Sequence, residues 1–240
     1  MAHAMAWNDL LRRLDRREPE RGDVMAKMED GFGKPLEVRD FLLSHGQRGD
    51  PDDILRTLDR YAEDHFFLMN IGPAKGPLLT REIEKLSTGS RVLEFGTYCG
   101  YSAILIARDL PPGADLVCVE VDPESVAAAR EIIAFAGLAH RVKIILGSSG
   151  DTIPALHGPF DLVFLDHWKD LYEPDLKSLE AHQMLRAGSV IFADNVGPLF
   201  NPESYLHYVR ESGKYESTHH ISTIEYTDRP DAAEVSVFRG

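Results

Sequence analysis

From residue 91 onward, short apolar runs alternate with amphipathic stretches, and each run ends at glycine or at a polar residue. The runs are Arg91–Phe95, Leu116–Val121, Val142–Leu146, Asp161–Leu165 and Val190–Ala193. A continuous apolar run of this length predicts a strand buried on both faces, because helices cover both sides of a parallel sheet. Between the runs, the spacing predicts helices over Tyr101–Leu110, Pro123–Ala136, Ser149–Leu156 and Leu171–Leu185. Asp122 is placed to cap the second of these, with proline at the first helical position. A further helix is predicted over Glu203–Glu211. Two more strands, Tyr215–His220 and Glu234–Phe238, follow without a clear helix between them, which suits an antiparallel pair. Strand and helix in alternation define an α/β protein with a doubly wound sheet and right-handed crossovers.

Upstream, helical patterns cover Leu36–His45 and Asp52–Asn70. In the second, Ile54, Leu55, Leu58 and Tyr61 share one face, and Asp52 or Asp53 can cap the start. Gly72-Pro-Ala-Lys-Gly76 reads as a linker into a helix over Leu78–Leu86. Residues 1–33 are charged, show little periodicity and close on the breaker Asp30-Gly-Phe-Gly33. The expected organisation is a weakly ordered N-terminal extension over 1–33 and a single domain over 34–240.

Composition narrows the partners. Hydrophobic residues make up 43% of the 240, enough for a sizeable core, and the net charge is -13. That charge argues against a nucleic-acid backbone as main partner. No run reaches the ~18 apolar residues of a membrane span, and the first residues lack the apolar centre of a secretory signal. Cys99 and Cys118 both fall in sequence that reads as buried sheet or its adjoining turn. No disulfide framework is expected, and a reducing, cytoplasmic setting is.

The candidate chemistry sits where strands end. One run closes on Asp166, and another on Asp194-Asn195. In open α/β sheets ligands lie outside the carboxyl ends of the strands. Two carboxylates and an amide delivered there offer oxygen ligands suited to a hard divalent cation such as magnesium. Adjacent strand residues point to opposite faces, so Asp194 and Asn195 can share an ion only if the chain turns at that point. The following Val196-Gly-Pro198 is consistent with a turn. A second cluster opens with Glu94-Phe-Gly96 and continues through Gly100 to Ser102. The glycines permit a tight turn, and the following helix start offers free N–H groups to an anion. Glu120, at the end of the next strand, is placed to bind ribose hydroxyls. A nicotinamide dinucleotide would call for Gly-x-Gly-x-x-Gly, and here the spacing is Gly-x-x-x-Gly. Glu94 would repel a pyrophosphate but suits an amino group or a sulfonium, both of which S-adenosylmethionine carries.

Taken together, Ala74-Lys75-Gly76, Glu94 to Ser102, Phe164-Leu-Asp-His-Trp-Lys169 and Ala193-Asp-Asn-Val196 resemble the catechol O-methyltransferase family, from about Asp50 to the C-terminus. The resemblance implies a class I, magnesium-dependent methyltransferase using S-adenosylmethionine. It also implies a Rossmann-like sheet of seven strands, the last antiparallel, with helices on both faces. Asp166, Asp194 and Asn195 would be the metal ligands, Lys169 the general base, and Glu225 the holder of the substrate's second hydroxyl. To act as base, the Lys169 amine must first be neutral, and burial beside a cation favours the neutral form. Glu120 would bind the cofactor ribose. Met69, Ile71, Glu94, Gly96, Tyr98 and Ser102 would surround its methionine portion. Ser149, His167 and Trp168 would lie around the adenine. Asp166 would also touch the cofactor, and Phe67, Asp166, Trp168, Lys169, Asn195 and Glu225 would meet the substrate.

The chain departs from the family at three places. Phe67 stands where the mammalian enzymes line the catechol pocket with tryptophan. Val121 replaces a methionine beside the adenosine. Gly197-Pro-Leu-Phe200 is altered and slightly longer. The expected partner is a small catechol-type molecule, with no nucleic acid and no membrane, and the oligomeric state stays open. A related enzyme of caffeoyl or flavonoid diols is the nearest other reading. A non-catalytic S-adenosylmethionine-binding protein is another, against which the intact Lys169 and ligand set speak.

Overall fold

The computed structural model describes residues 33–240, so all of the extension before Gly33 lies outside the described residues. Among the described residues, three helices come first, α1 (Pro35–His45), α2 (Pro51–Asp64) and α3 (Gly72–Ile83). The alternating part follows: β1 (Arg91–Phe95), α4 (Tyr101–Asp109), β2 (Asp115–Glu120), α5 (Pro123–Phe135), β3 (Val142–Leu146), α6 (Ser149–Thr152), β4 (Leu162–Leu165), α7 (Tyr172–Ala181), β5 (Val190–Ala193) and α8 (Glu203–Glu211). The chain closes with the hairpin β6 (Tyr215–Thr223) and β7 (Pro230–Phe238). Among the described residues, no helix is long and apolar enough to cross a membrane.

The seven strands form one sheet in the order β3-β2-β1-β4-β5-β7-β6. The first five are parallel. β7 enters between β5 and β6 and runs antiparallel to both, so the last strand is antiparallel, as the resemblance implied. The order reverses beside β1, where the crevice of a doubly wound sheet opens. Period-two alternation sorts the strand side chains into two cores. Val92, Phe164 and Phe192 face Leu79, Ile104 and Ile132. Leu93, Phe95, Leu165 and Ile191 face Tyr172, Leu176 and Tyr205.

Of the boundaries that differ from the sequence pattern, three bear on residues of the site. The helix expected through Asn70 stops at Asp64. Asp50, rather than Asp52 or Asp53, caps its start by accepting from Asp53 N–H at 3.0 Å. The irregular stretch after Asp64 carries Met69 and Asn70 to a cavity wall. The Gly72–Gly76 linker is in fact the opening of α3. Pro73 is at home there, because first-turn N–H groups have no intrahelical acceptor. Helical packing therefore turns Lys75 inward, to 0% exposure. β7 begins at Pro230, ahead of the predicted Glu234, because the hairpin pairs Thr223 with Pro230 and Ser222 with Asp231.

Candidate active site

The carboxyl ends of β1, β2 and β4 open onto a cavity of about 820 Å³. That size suits a small-molecule site. Gly96 lets β1 and β4 meet at its floor. Its φ is +90°, and a Cβ there would lie 2.6 Å from the Asp166 carbonyl oxygen. Tyr98 takes a left-handed φ of +45° in the same turn, which is costly for a bulky residue. Glu120 holds that turn. Its Oε2 accepts from Thr97 and Tyr98 N–H at 2.9 and 3.0 Å. Its Oε1 accepts from Val121 and Asp122 N–H at 2.8 and 2.9 Å. One carboxylate thus clips the β1 and β2 loops together through main-chain donors. Tyr98 adds a hydrogen bond from its hydroxyl to the Gly33 carbonyl.

Of the residues singled out from sequence, Met69, Gly96, Tyr98, Ser102, Glu120, Val121, Ser149, Asp166, His167, Trp168 and Lys169 line this cavity. Trp168 is 43% exposed. His167 is fixed by Nε2, which meets Asp175 Oδ2 at 2.7 Å. Burial lowers its pKa, favouring the neutral ring. Leu199 and Phe200 also line the cavity. They come from the altered segment after β5, a departure that the resemblance flagged without assigning a role.

Glu94, Ile71 and Phe67 lie behind the wall. Glu94 is fully buried and accepts from the Ser102 hydroxyl and from Cys118 Sγ, the latter at 2.8 Å. Burial pushes its pKa up to about 7. The folded protein therefore holds this proton more tightly than the unfolded chain does, and stability falls as pH rises from 4.5 through about 7. The full difference corresponds to about 3 kcal/mol. Glu94→Gln removes the titration, so the ligand-free variant should gain stability over wild type between pH 5 and pH 8. Urea midpoints across that range check this, and parallel curves would contradict it. Ile71 is fully buried, and Phe67 is 2% exposed, edge-on to Tyr226 at 6.5 Å between centroids.

Asp194, Asn195 and Glu225 form a buried polar cluster next to the cavity. Asn195 has a φ of +50°, so the chain turns where β5 ends. At the cavity side, Lys169 Nζ donates to Asp166 Oδ1 at 3.0 Å and lies 5.1 Å from the Tyr172 ring centroid and 5.7 Å from that of Phe200. Burial and the neighbouring Asp194 charge raise the Asp166 pKa against the pull of Lys169. Burial likewise raises those of Asp194 and Glu225.

Two residues that the sequence reading did not assign organise the cluster. Lys75 Nζ stands 2.7 Å from Asp194 Oδ1, 2.6 Å from Glu225 Oε1 and 2.5 Å from Asp231 Oδ2. The three carboxylates are close enough to hold an ion, but the ammonium already occupies their centre. Asp194 Oδ2, in contrast, is buried and has no hydrogen-bond partner among the described residues. An unpartnered buried carboxylate oxygen is costly. Asp166, Asp194 and the Asn195 amide are oxygen donors of the kind that suits magnesium or manganese.

This fold and this cavity are those of a methyltransferase, and residues 48–203 match the O-methyltransferase family, to which the chain belongs. Catechol O-methyltransferase B of Danio rerio is 42% identical over 212 residues, covering 86% of this chain and 80% of that protein. Catechol O-methyltransferase of Mus musculus is 43% identical over 215 residues, covering 88% and 80%. Among solved structures, the O-methyltransferase TomG from Streptomyces achromogenes, in complex with SAM, is similar with a TM-score of 0.64 at 26% identity. That match covers 75% of this chain and 86% of TomG.

Proposed function

We propose that this enzyme transfers the methyl group of S-adenosylmethionine to one hydroxyl of a catechol-type small molecule. A Mg2+ would be held by Asp166, Asp194 and Asn195, with Lys169 as general base. The observation that carries the reading is the partnerless Asp194 Oδ2 beside Asp166 and Lys169, which line the cavity. The kinship with catechol O-methyltransferases supports the substrate class, and the SAM-bound TomG supports the cofactor.

Met69, Gly96, Tyr98 and Ser102 would hold the methionine portion of the cofactor, with Ile71 and Glu94 behind them. Glu120 would take the ribose, sharing oxygens that already bind main-chain N–H groups. Val121, Ser149, His167 and Trp168 would surround the adenine. Bound S-adenosylmethionine supplies an electrophilic methyl group, and bound Mg2+ favours the ionised form of a hydroxyl beside it. Lys169 Nζ would remove the proton of the attacking hydroxyl. Glu225 would accept a hydrogen bond from the second hydroxyl at Oε2, because its Oε1 is engaged by Lys75 and Asn195. Holding both hydroxyls fixes the attacking oxygen, and orientation of this kind is worth up to ~7–11 kcal/mol. Residues 34–240 would act as one domain, and the two free, buried cysteines suit a reducing cytoplasm.

The test is turnover of catechol and of phenol with S-adenosylmethionine and Mg2+, followed by chromatography. Catechol should yield a monomethyl ether and phenol almost none. Equal turnover of phenol would remove the vicinal diol from the reading.

A further inference from the structure

Ionised carboxylates only accept hydrogen bonds, whereas a side-chain amide has one donating and one accepting end. Asn195 faces two carboxylates with the same end. Its Nδ2 lies 3.0 Å from Asp231 Oδ2 and 3.2 Å from Glu225 Oε1. The chemistry of those two groups forces the NH2 toward them and turns Oδ1 away. Asp231 does more than accept. Its Oδ1 takes Gly197 N–H at 3.0 Å, and Val196 N–H bonds the Ala232 carbonyl at 2.9 Å. A Cβ on Gly197 would meet Asp231 Oδ1 at 2.6 Å, so only glycine allows this approach. The start of β7 thereby pins the turn in which Asn195 takes its positive φ. Lys75 Nζ, at 2.5 Å from Asp231 Oδ2, balances the charge that this arrangement buries.

We propose that Asp231, supported by Lys75, is a positioning residue that sets the direction of the Asn195 amide and so makes Asn195 Oδ1 a ligand for the divalent cation. The inference rests on the metal site proposed above. It assigns a role to two residues that touch neither reacting atom, carried in by the first turn of one helix and the last strand of the sheet.

In Asp231→Asn a single oxygen remains. If it serves Gly197 N–H, its NH2 faces the Asn195 NH2 and the Lys75 ammonium, and the Asn195 amide flips to present a donor to the ion. Loss of such a supporting group costs roughly 10–100-fold in metal affinity. Charge alone would also weaken binding, because a negative group is removed. The double substitution Asn195→Asp, Asp231→Asn separates the two causes. It restores the charge and reverses the hydrogen bond, with the new amide donating to the new carboxylate.

The measurement is Mn2+ affinity by electron paramagnetic resonance, with S-adenosylmethionine saturating, on wild type, both single variants and the double variant. Thermal melting and cofactor affinity of each variant report folding separately. Asp231→Asn should weaken Mn2+ binding by roughly 10–100-fold. Asn195→Asp alone should fail to strengthen it, because two carboxylates then oppose one another. The double variant should recover most of the loss. Contributions that multiply independently across the cycle, or unchanged affinity in Asp231→Asn, would overturn the assignment while leaving the proposed function standing. Absence of Mn2+ binding in wild type would instead overturn the metal site itself, and this inference with it.

Discussion

Removing divalent cations is expected to abolish methylation of catechol while leaving S-adenosylmethionine bound. The expectation follows from the separation of the two donor sets. Glu120, Tyr98, Ser102 and Ser149 lie around the cavity on the β1, β2 and β3 side, whereas Asp166, Asp194 and Asn195 close β4 and β5. An unperturbed phenol, with a pKa of about 10, is ionised to roughly one part in three hundred at pH 7.5. The nucleophile is therefore scarce without a neighbouring cation. Chelator should bring turnover to background, and Mg2+ should restore it in the same sample. Calorimetry with S-adenosylmethionine before and after chelation gives the second readout. Full activity in metal-free protein would rule the mechanism out.

Lys169→Ala should lose most of its kcat, because general-base catalysis is typically worth ~10²–10⁴-fold. Lys169 Nζ sits 3.0 Å from Asp166 Oδ1, and 5.1 and 5.7 Å from the Tyr172 and Phe200 ring centroids. Truncation therefore removes both the base and a partner of a prospective ligand. Rates are best taken at saturating Mg2+, so that a change in metal affinity does not pass for a change in chemistry. Cofactor affinity should be retained, since no atom of Lys169 bonds the Glu120 clip or Ser102. A near-normal kcat at neutral pH would take Lys169 out of the base role.

Apolar runs that end in acid announce a buried parallel sheet and the rim where its chemistry collects. The sequence by itself determined the strands β1 to β5 nearly to the residue, the glycine turn at Gly96 and the placement of Asp166 and Asp194-Asn195 at strand ends. Those features are local. A run buried on both faces, a cap or a glycine in a tight turn each follows from neighbours within a few positions. Only the tertiary structure decided what faces those residues. Lys75 stood in a segment that read as a linker, and Asp231 stood before the expected start of its strand. They meet across 156 positions, and a contact of that range leaves no periodicity to read. The same holds for Glu94, which the motif placed at the cofactor and which the fold set one layer behind Ser102. It holds for Phe67, which packs against Tyr226 from the distant β6–β7 loop. Asn195 shows the division most clearly. Its position at the end of an apolar run makes it a candidate ligand, but its amide nitrogen meets two carboxylates on other elements. A side-chain amide has no preferred orientation of its own; its acceptor and donor ends are set by whatever packs against them.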